Sequence, residues 1–319
     1  YLQKLRLIGL KDEQSINPQD VLKNVEYIDL HADNVSQKIN TEKKAHAILK
    51  YLDKHQDVLN MHISESCLKD QLIKKRWIPC LQKRVLAYPQ SLKWNASTSF
   101  VCPNKVYSQD LASLVSTGAS VCDDSDIKNL SQALGWTTLQ DIDLVLDQLA
   151  KVSNSYQSVE KAHYLAIVIK IMDFLSKCHP DDINSKMEEK GIAKWVWHGN
   201  GFTTRDKAVL ESLSFGLQAY CFSIPPELHM YSEFLLNMGI KETFCADDYI
   251  QFLGEMQNEF KKKSLDKETL KIAIQIIIDL AEALDKEEND TKVIYLQNGP
   301  VIYLPNTECV LVPSTELFY

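Results

Sequence analysis

Trp195-Val196-Trp197-His198-Gly199-Asn200-Gly201-Phe202-Thr203-Thr204-Arg205-Asp206-Lys207 sets two apolar runs around an Asn-Gly pair, and its reading decides the fold. Asn-Gly accommodates the positive backbone φ of tight hairpin turns, so the stretch predicts a short antiparallel ribbon followed by a charged turn. The same phrase is written twice more. Trp77-Ile78-Pro79 with Phe100-Val101-Cys102-Pro103-Asn104-Lys105 precedes it, and Val293 to Leu296 with Ile302-Tyr303-Leu304-Pro305-Asn306 follows it. In the third copy Asn298-Gly299 repeats the turn signal.

A second landmark of different chemistry recurs with the ribbon. Leu7-Ile8-Gly9-Leu10, Ala133-Leu134-Gly135-Trp136 and Asn237-Met238-Gly239-Ile240 each place glycine between apolar residues. Glycine takes the left-handed conformation that ends a helix, and the apolar residue after it packs back on the last turn. The three glycines stand 126 and 104 residues apart, and Phe100, Phe202 and Ile302 stand 102 and 100 apart. A period near 100 exceeds the roughly 20–50 residues of common solenoid repeats, so these are domain-sized modules. The expected partition is residues 1–134, 135–238 and 239–319. Trp77 to Phe100 covers 23 residues against 7 for Trp195 to Phe202, which puts an insertion at about 81–95 in the first module.

Between the landmarks the apolar periodicity is helical. Thr41–Leu59 carries Ala45, Ile48, Leu49 and Leu52 on one stripe, and Val159–Cys178 carries Ala162, Leu165, Ala166, Ile169, Met172 and Phe174. Asp266 is placed to cap Lys267–Asp285, with Ile272, Ile276, Ile277, Leu280 and Leu284 inward. Thr138 or Asp141 starts a helix through Ala150, Asp247 one through Lys262, and Pro225-Pro226 the helix ending at Met238. Shorter helices are expected at Ser108–Ser116 and Asp124–Leu134. The fold class is therefore α+β and helix-dominant: tandem modules, each of several helices plus a small hairpin or short antiparallel sheet.

Composition narrows function by exclusion. The 319 residues are 45% hydrophobic and 24% charged, ordinary for a globular chain, and the net charge of −8 disfavours binding to a phosphate backbone. The dense basic runs, Lys74-Lys75-Arg76 and Lys261-Lys262-Lys263, fall at helix ends, where cations offset exposed carbonyl dipoles. The eight cysteines form no Cys-x-x-Cys pair, and most lie in apolar surroundings, so a reduced intracellular chain is expected and the sequons at Asn34, Asn95 and Asn129 are idle. Tyr1 is not a start residue, so the sequence reads as a segment. The most apolar run, Ile272 to Leu284, is too short and too charged at Gln275, Asp279 and Glu282 to span a bilayer.

A search for chemistry returns structural explanations. Gly199-Asn200-Gly201 is accounted for by a hairpin turn and lacks the remainder of a phosphate loop. The histidines, among them His163, His179 and His198, show no metal-ligand spacing. Asp123-Asp124-Ser125-Asp126, Asp181-Asp182 and Asp247-Asp248 precede helices, where carboxylates cap exposed N–H groups. No serine or cysteine occupies a nucleophile elbow. No catalytic residue, cofactor site or metal site is expected. Trp195 and Trp197 are the candidate protein-contact residues: two apart on a strand, they share a face. They either cover the helices of their own module, the favoured reading, or form an aromatic contact for a client or a neighbouring module.

Three passages carry a resemblance: Lys75-Arg76-Trp77-Ile78-Pro79-Cys80 with Tyr88-Pro89-Gln90-Ser91-Leu92-Lys93-Trp94, the Lys194–Phe202 hairpin, and the closing Val310-Leu311-Val312-Pro313-Ser314-Thr315-Glu316-Leu317-Phe318-Tyr319. Over the whole chain the sequence resembles the sacsin-repeat family of giant chaperone-related proteins. Such repeats begin with an ATPase-like domain of the heat-shock-ninety kind, whose Asn-Ala-Asp-Asp-Ala-type helix and Gly-rich lid motifs do not occur in this sequence. The resemblance thus implies a downstream part of a repeat, with no ATP-site residues to carry over. It further implies a cytoplasmic co-chaperone scaffold linked to the heat-shock-seventy system, acting on protein clients in quality control and cytoskeletal organisation. A degenerate or regulatory domain binding a nucleotide or metal is the alternative.

Overall fold

The computed structural model describes residues 17–34, 37–63, 66–80, 100–108, 111–115, 120–122, 127, 129–137, 141–213, 220–261, 263–286 and 300–317. The fold is the expected helix-dominant α+β, and every sheet among the described residues has two strands. The chain falls into two compact units, Tyr1–Ile171 and Met172–Tyr319. This division by packing does not coincide with the partition at 134/135 and 238/239 that follows the sequence repeat. Gly9, the insertion at 81–95, the Tyr88–Trp94 passage and the Asn298-Gly299 turn lie outside the described residues.

In the first unit, α1 (Pro18–Leu30) starts where Asn17 accepts the Asp20 N–H at 2.9 Å and Pro18 supplies the first helical position. Its buried stripe of Val21, Leu22, Val25 and Ile28 shares a core with α2 (Lys38–Lys54). The expected α2 stripe of Ala45, Ile48, Leu49 and Leu52 is buried in full, although the helix stops at Lys54 and continues as a 3-10 turn over Gln56–Asn60. A hairpin of β1 (His62–Ile63) and β2 (Ser66–Cys67) leads into α3 (Leu68–Leu72). Trp77, fully buried, donates its indole N–H to the Leu72 carbonyl at 3.1 Å. Arg76 pairs with Asp29 at 3.4 Å and Asp33 at 3.1 Å, so this part of the basic run is tied to the end of α1. Ser108–Ser116 shows turns over its described residues 111–115, and among the described residues of Asp124–Leu134 the helix is α4 (Leu130–Ala133). Asp141 caps α5 (Ile142–Asn154) by accepting the Asp143 N–H at 2.9 Å.

Helix α6 (Lys161–Leu175) contains the unit boundary and corrects the expected apolar face. Tyr164, Ile167, Val168, Ile171, Met172 and Leu175 are buried; of the expected stripe only Met172 is. Apolar residues surround this helix on nearly every side, so periodicity did not select the buried face.

The second unit holds α7 (Pro180–Glu189), α8 (Ser232–Asn237), α9 (Ala246–Phe260) and α10 (Lys267–Lys286). Cys245, not Asp247, caps α9: the Asp248 carboxylate three positions on accepts the Cys245 N–H at 3.0 Å, closing a capping box. Asp266 caps α10 as expected, accepting from Glu268 and Thr269 at 3.0 and 2.8 Å. Ala273, Ile276 and Leu280 are the buried line of α10, with Ile272, Ile277 and Leu284 packed beside it.

The β passages of the two units follow one plan. In the first, β3 (Ile78–Pro79) pairs antiparallel with β4 (Phe100–Val101), a 3-10 turn covers Pro103–Lys105, and β5 (Val106–Tyr107) pairs parallel with β6 (Ser120–Val121). In the second, β7 (Val196–Trp197) pairs antiparallel with β8 (Phe202–Thr203), a 3-10 turn covers Arg205–Lys207, and β9 (Ala208–Val209) pairs parallel with β10 (Phe222–Ser223). Val106 and Ala208 meet partners 14 residues onward in both cases. Each series ends on a glycine-stopped helix. Gly135 and Gly239 have φ of 63° and 87°, and the Trp136 and Ile240 N–H groups reach back to the Ser131 and Leu235 carbonyls. That is the predicted left-handed stop, and Gly191 after α7 repeats it. In the third passage the described partner of β11 (Tyr303–Pro305) is β12 (Leu311–Pro313), closed by Asn306 accepting from Glu308 and Val310 at 3.0 Å each.

Candidate functional site

The hairpin carrying Trp195 and Trp197 turns on Gly199, one residue earlier than expected. The His198 N–H donates to the Gly201 carbonyl at 3.1 Å, leaving Gly199-Asn200 at the centre with Gly199 at φ 90°. Among the described residues Asn200 is not in the positive-φ region, so the turn uses glycine at its first central position. Phe202 then meets the Trp197 ring edge-on at 5.1 Å, and His198 lies against Phe222 at 4.1 Å.

Both indoles are inside the unit: Trp195 is 3% exposed and Trp197 1%. Trp197 presents no face to a partner while the hairpin is closed. Trp195 differs, because it lies in the wall of a cleft of about 290 Å³ together with Met187, Ile192, Thr204 and Arg205. The glycine stop after α7 shapes this cleft, since the turn at Gly191 directs Ile192 and Ala193 across its wall. Sequence spacing placed the two indoles on one strand face, but a two-residue strand is too short for alternation to decide which face is covered.

A second cleft of about 280 Å³ in the same unit brings Glu211, Cys245, Tyr249, Asp279 and Glu282 together. No motif or spacing signals it, because its residues come from β9's exit, α9 and α10. Burial raises the Asp279 carboxyl above the usual carboxylate range; the Gln275 amide, donating at 2.8 Å, opposes this, while Glu282 and Glu211 add to it. Burial also raises the Tyr249 hydroxyl, reinforced by Asp279 and other nearby anions. Lys241 binds the Asp248 carboxylate through both oxygens, at 2.6 and 2.7 Å, and the Cys245 thiol donates to Asp248 at 3.2 Å. This thiol and the Asp248 carboxylate that accepts from it are thus both part of the capping box of α9.

His179 caps α7 by accepting the Asp181 N–H at 3.4 Å, so Asp181 and Asp182, expected ahead of the helix, lie in its first turn. No group of three or more His, Cys, Asp or Glu suited to a metal ion occurs among the described residues. Among them, no helix is long and apolar enough to cross a membrane.

Comparison with known proteins gives one informative likeness. No protein-family model matches the chain, and no solved structure matches it. The human protein sacsin is 25% identical to it over 289 residues, covering 86% of this chain. The chain spans about 6% of the length of that relative. Over most of its length the chain is therefore similar in sequence to a short stretch of sacsin.

Proposed function

We propose that the chain is a non-catalytic scaffold and interaction segment of a large cytoplasmic co-chaperone. The observation that carries this reading is the twice-built β passage. The two ribbons share strand order, the 3-10 turn and the 14-residue step to the parallel partner. They do not share chemistry: the position after the first strand is Cys80 in one and His198 in the other, and that after the last strand is Cys122 and Ile224. Duplication that keeps backbone and changes polar side chains favours a spacer or docking module over a reaction centre. Similarity to sacsin over most of the chain supports the same reading. In this reading the segment is three tandem modules, 1–134, 135–238 and 239–319, that space or couple ATPase-like domains and hold protein clients alongside the heat-shock-seventy system. Trp195, on its cleft wall, is the residue of the tryptophan pair through which contact would run, and Trp197 keeps the hairpin closed.

Calorimetry of the chain with ATP and magnesium tests the central claim. No saturable heat is expected. Saturable binding would overturn it and favour a degenerate or regulatory nucleotide-binding domain. In a client-aggregation assay, folded Trp195→Ala is expected to suppress aggregation several-fold less well than the unsubstituted chain; equal suppression removes Trp195 from the proposal.

A further inference from the structure

We propose that Cys80 and Cys122 are a thiol pair that closes as a disulfide on exchange with a low-molecular-weight disulfide such as oxidised glutathione. Cys80 continues β3 and Cys122 continues β6, and the two face each other in an antiparallel bridge that joins the β3–β4 and β5–β6 ribbons of the first unit. The Cys122 N–H donates at 2.9 Å to the Tyr107 carbonyl on the opposite side. It is therefore not shared with Cys80, and the two cysteines are a non-hydrogen-bonded pair. Directly opposed residues of that kind have Cα atoms about 4.5 Å apart and their side chains at closest approach. A disulfide spans Cα separations of about 4.4–6.8 Å, so the backbone needs little adjustment to accept the bond.

The ribbon itself does not require thiols there. In the second unit, β7 and β10 correspond to β3 and β6, and the following residues are His198 and Ile224. Cys102 donates to the Lys74 carbonyl at 3.7 Å, Cys67 to Asp70 at 3.0 Å and Cys80 itself to the Ile78 carbonyl at 3.8 Å, so it is the bridge between Cys80 and Cys122 that singles out this pair. Cys80 is 5% exposed and Cys122 0%, so Cys80 is the thiol that meets the oxidant first.

The exchange runs in two steps. The Cys80 thiol gives its proton to solvent, its sulfur bonds one sulfur of oxidised glutathione, and the S–S bond of that molecule breaks, releasing one glutathione. The Cys122 thiol then loses its proton, its sulfur bonds the Cys80 sulfur, and the mixed S–S bond breaks to release the second glutathione; each departing glutathione thiolate takes up a proton from solvent. Two protein thiols are oxidised and one glutathione disulfide is reduced to two thiols. The bond closes a loop of 43 residues, counting both cysteines. Closure on that scale raises the unfolding midpoint by roughly 5–10 °C.

The test equilibrates the full chain in glutathione redox buffers, with and without about 2 M urea to admit the oxidant by local opening. Remaining thiols are then alkylated and the peptides mapped by mass. The expected result is a loss of about 2 Da, a linked peptide containing Cys80 and Cys122, a raised unfolding midpoint, and reversal of all three by dithiothreitol. Cys80→Ser and Cys122→Ala should each abolish the linked peptide. The measurement on the unsubstituted chain decides the matter if either variant fails to fold. Recovery of both thiols alkylated in both buffers, or their capture as separate glutathione adducts or links to other cysteines, overturns the proposal.

Discussion

One substitution, glycine to alanine, has opposite consequences at two positions of the second unit. Gly239 holds φ at 87°, and a Cβ there would stand 3.6 Å from Arg205 Cδ. Space is adequate, but the backbone conformation is not, so Gly239→Ala is expected to lower stability by about 1 kcal/mol. Gly254 lies inside α9, where an added methyl group would meet nothing within 4 Å, so Gly254→Ala should raise stability by about 0.5–1 kcal/mol. Chemical denaturation of both variants checks the signs, and shifts in the same direction would contradict the backbone argument. Gly135 and Gly239 were legible in the sequence because a helix stop is a local requirement of the chain. That Trp195 and Trp197 are covered agrees with the favoured reading, but the cleft beside Trp195 was not legible, since it depends on which distant side chains pack around a two-residue strand.

Helices α6 and α10 show where patterning informs and where it fails. In α10 the polar face is broad, so the inward line of Ile276 and Leu280 could be read directly, and the Asp266 cap fixed the start. In α6 apolar residues leave no polar face to orient the helix, and only the packing around Tyr164, Val168 and Ile171 selects one. A pH effect belongs to α10. Burial holds the Asp279 carboxyl above its ordinary value, so the folded chain binds this proton more tightly than the unfolded chain. Stability from this group therefore falls as pH rises from the unfolded value through the folded one, and stays reduced at neutral pH. Asp279→Asn keeps an oxygen for the Gln275 amide and removes the charge. After solvent screening it should stabilise the chain at pH 7 by a few tenths of a kcal/mol and flatten the acid-range dependence. Denaturation midpoints between pH 3 and 7 measure this, and an unchanged profile would refute it.

Across the whole molecule, each unit buries an indole in its ribbon, Trp77 just ahead of β3 and Trp197 at the end of β7. Trp77 is 0% exposed and Trp197 1%. Truncating either to alanine leaves a large cavity, and each is expected to lower stability by about 3–5 kcal/mol, read from urea midpoints. A loss below 1 kcal/mol at either site would show that its ribbon does not organise the surrounding packing. The duplicated ribbon was legible at this scale because its turns and glycines use local chemistry and recur in order. The α1 helix and the β1–β2 hairpin were not anticipated, although Asn17-Pro18 and the Val21, Leu22, Val25, Ile28 stripe signal the former in retrospect.

The sheets have a further consequence for how the chain acquires its structure. Every strand pair among the described residues joins segments close in sequence, from Ile63 with Ser66 to Ile78 with Val101. Such pairings require only short loops to close, and topologies rich in them fold quickly. Each ribbon can therefore form soon after its own residues leave the ribosome, without waiting for distant sequence. Local closure of this kind limits the time that apolar strands spend uncovered during synthesis.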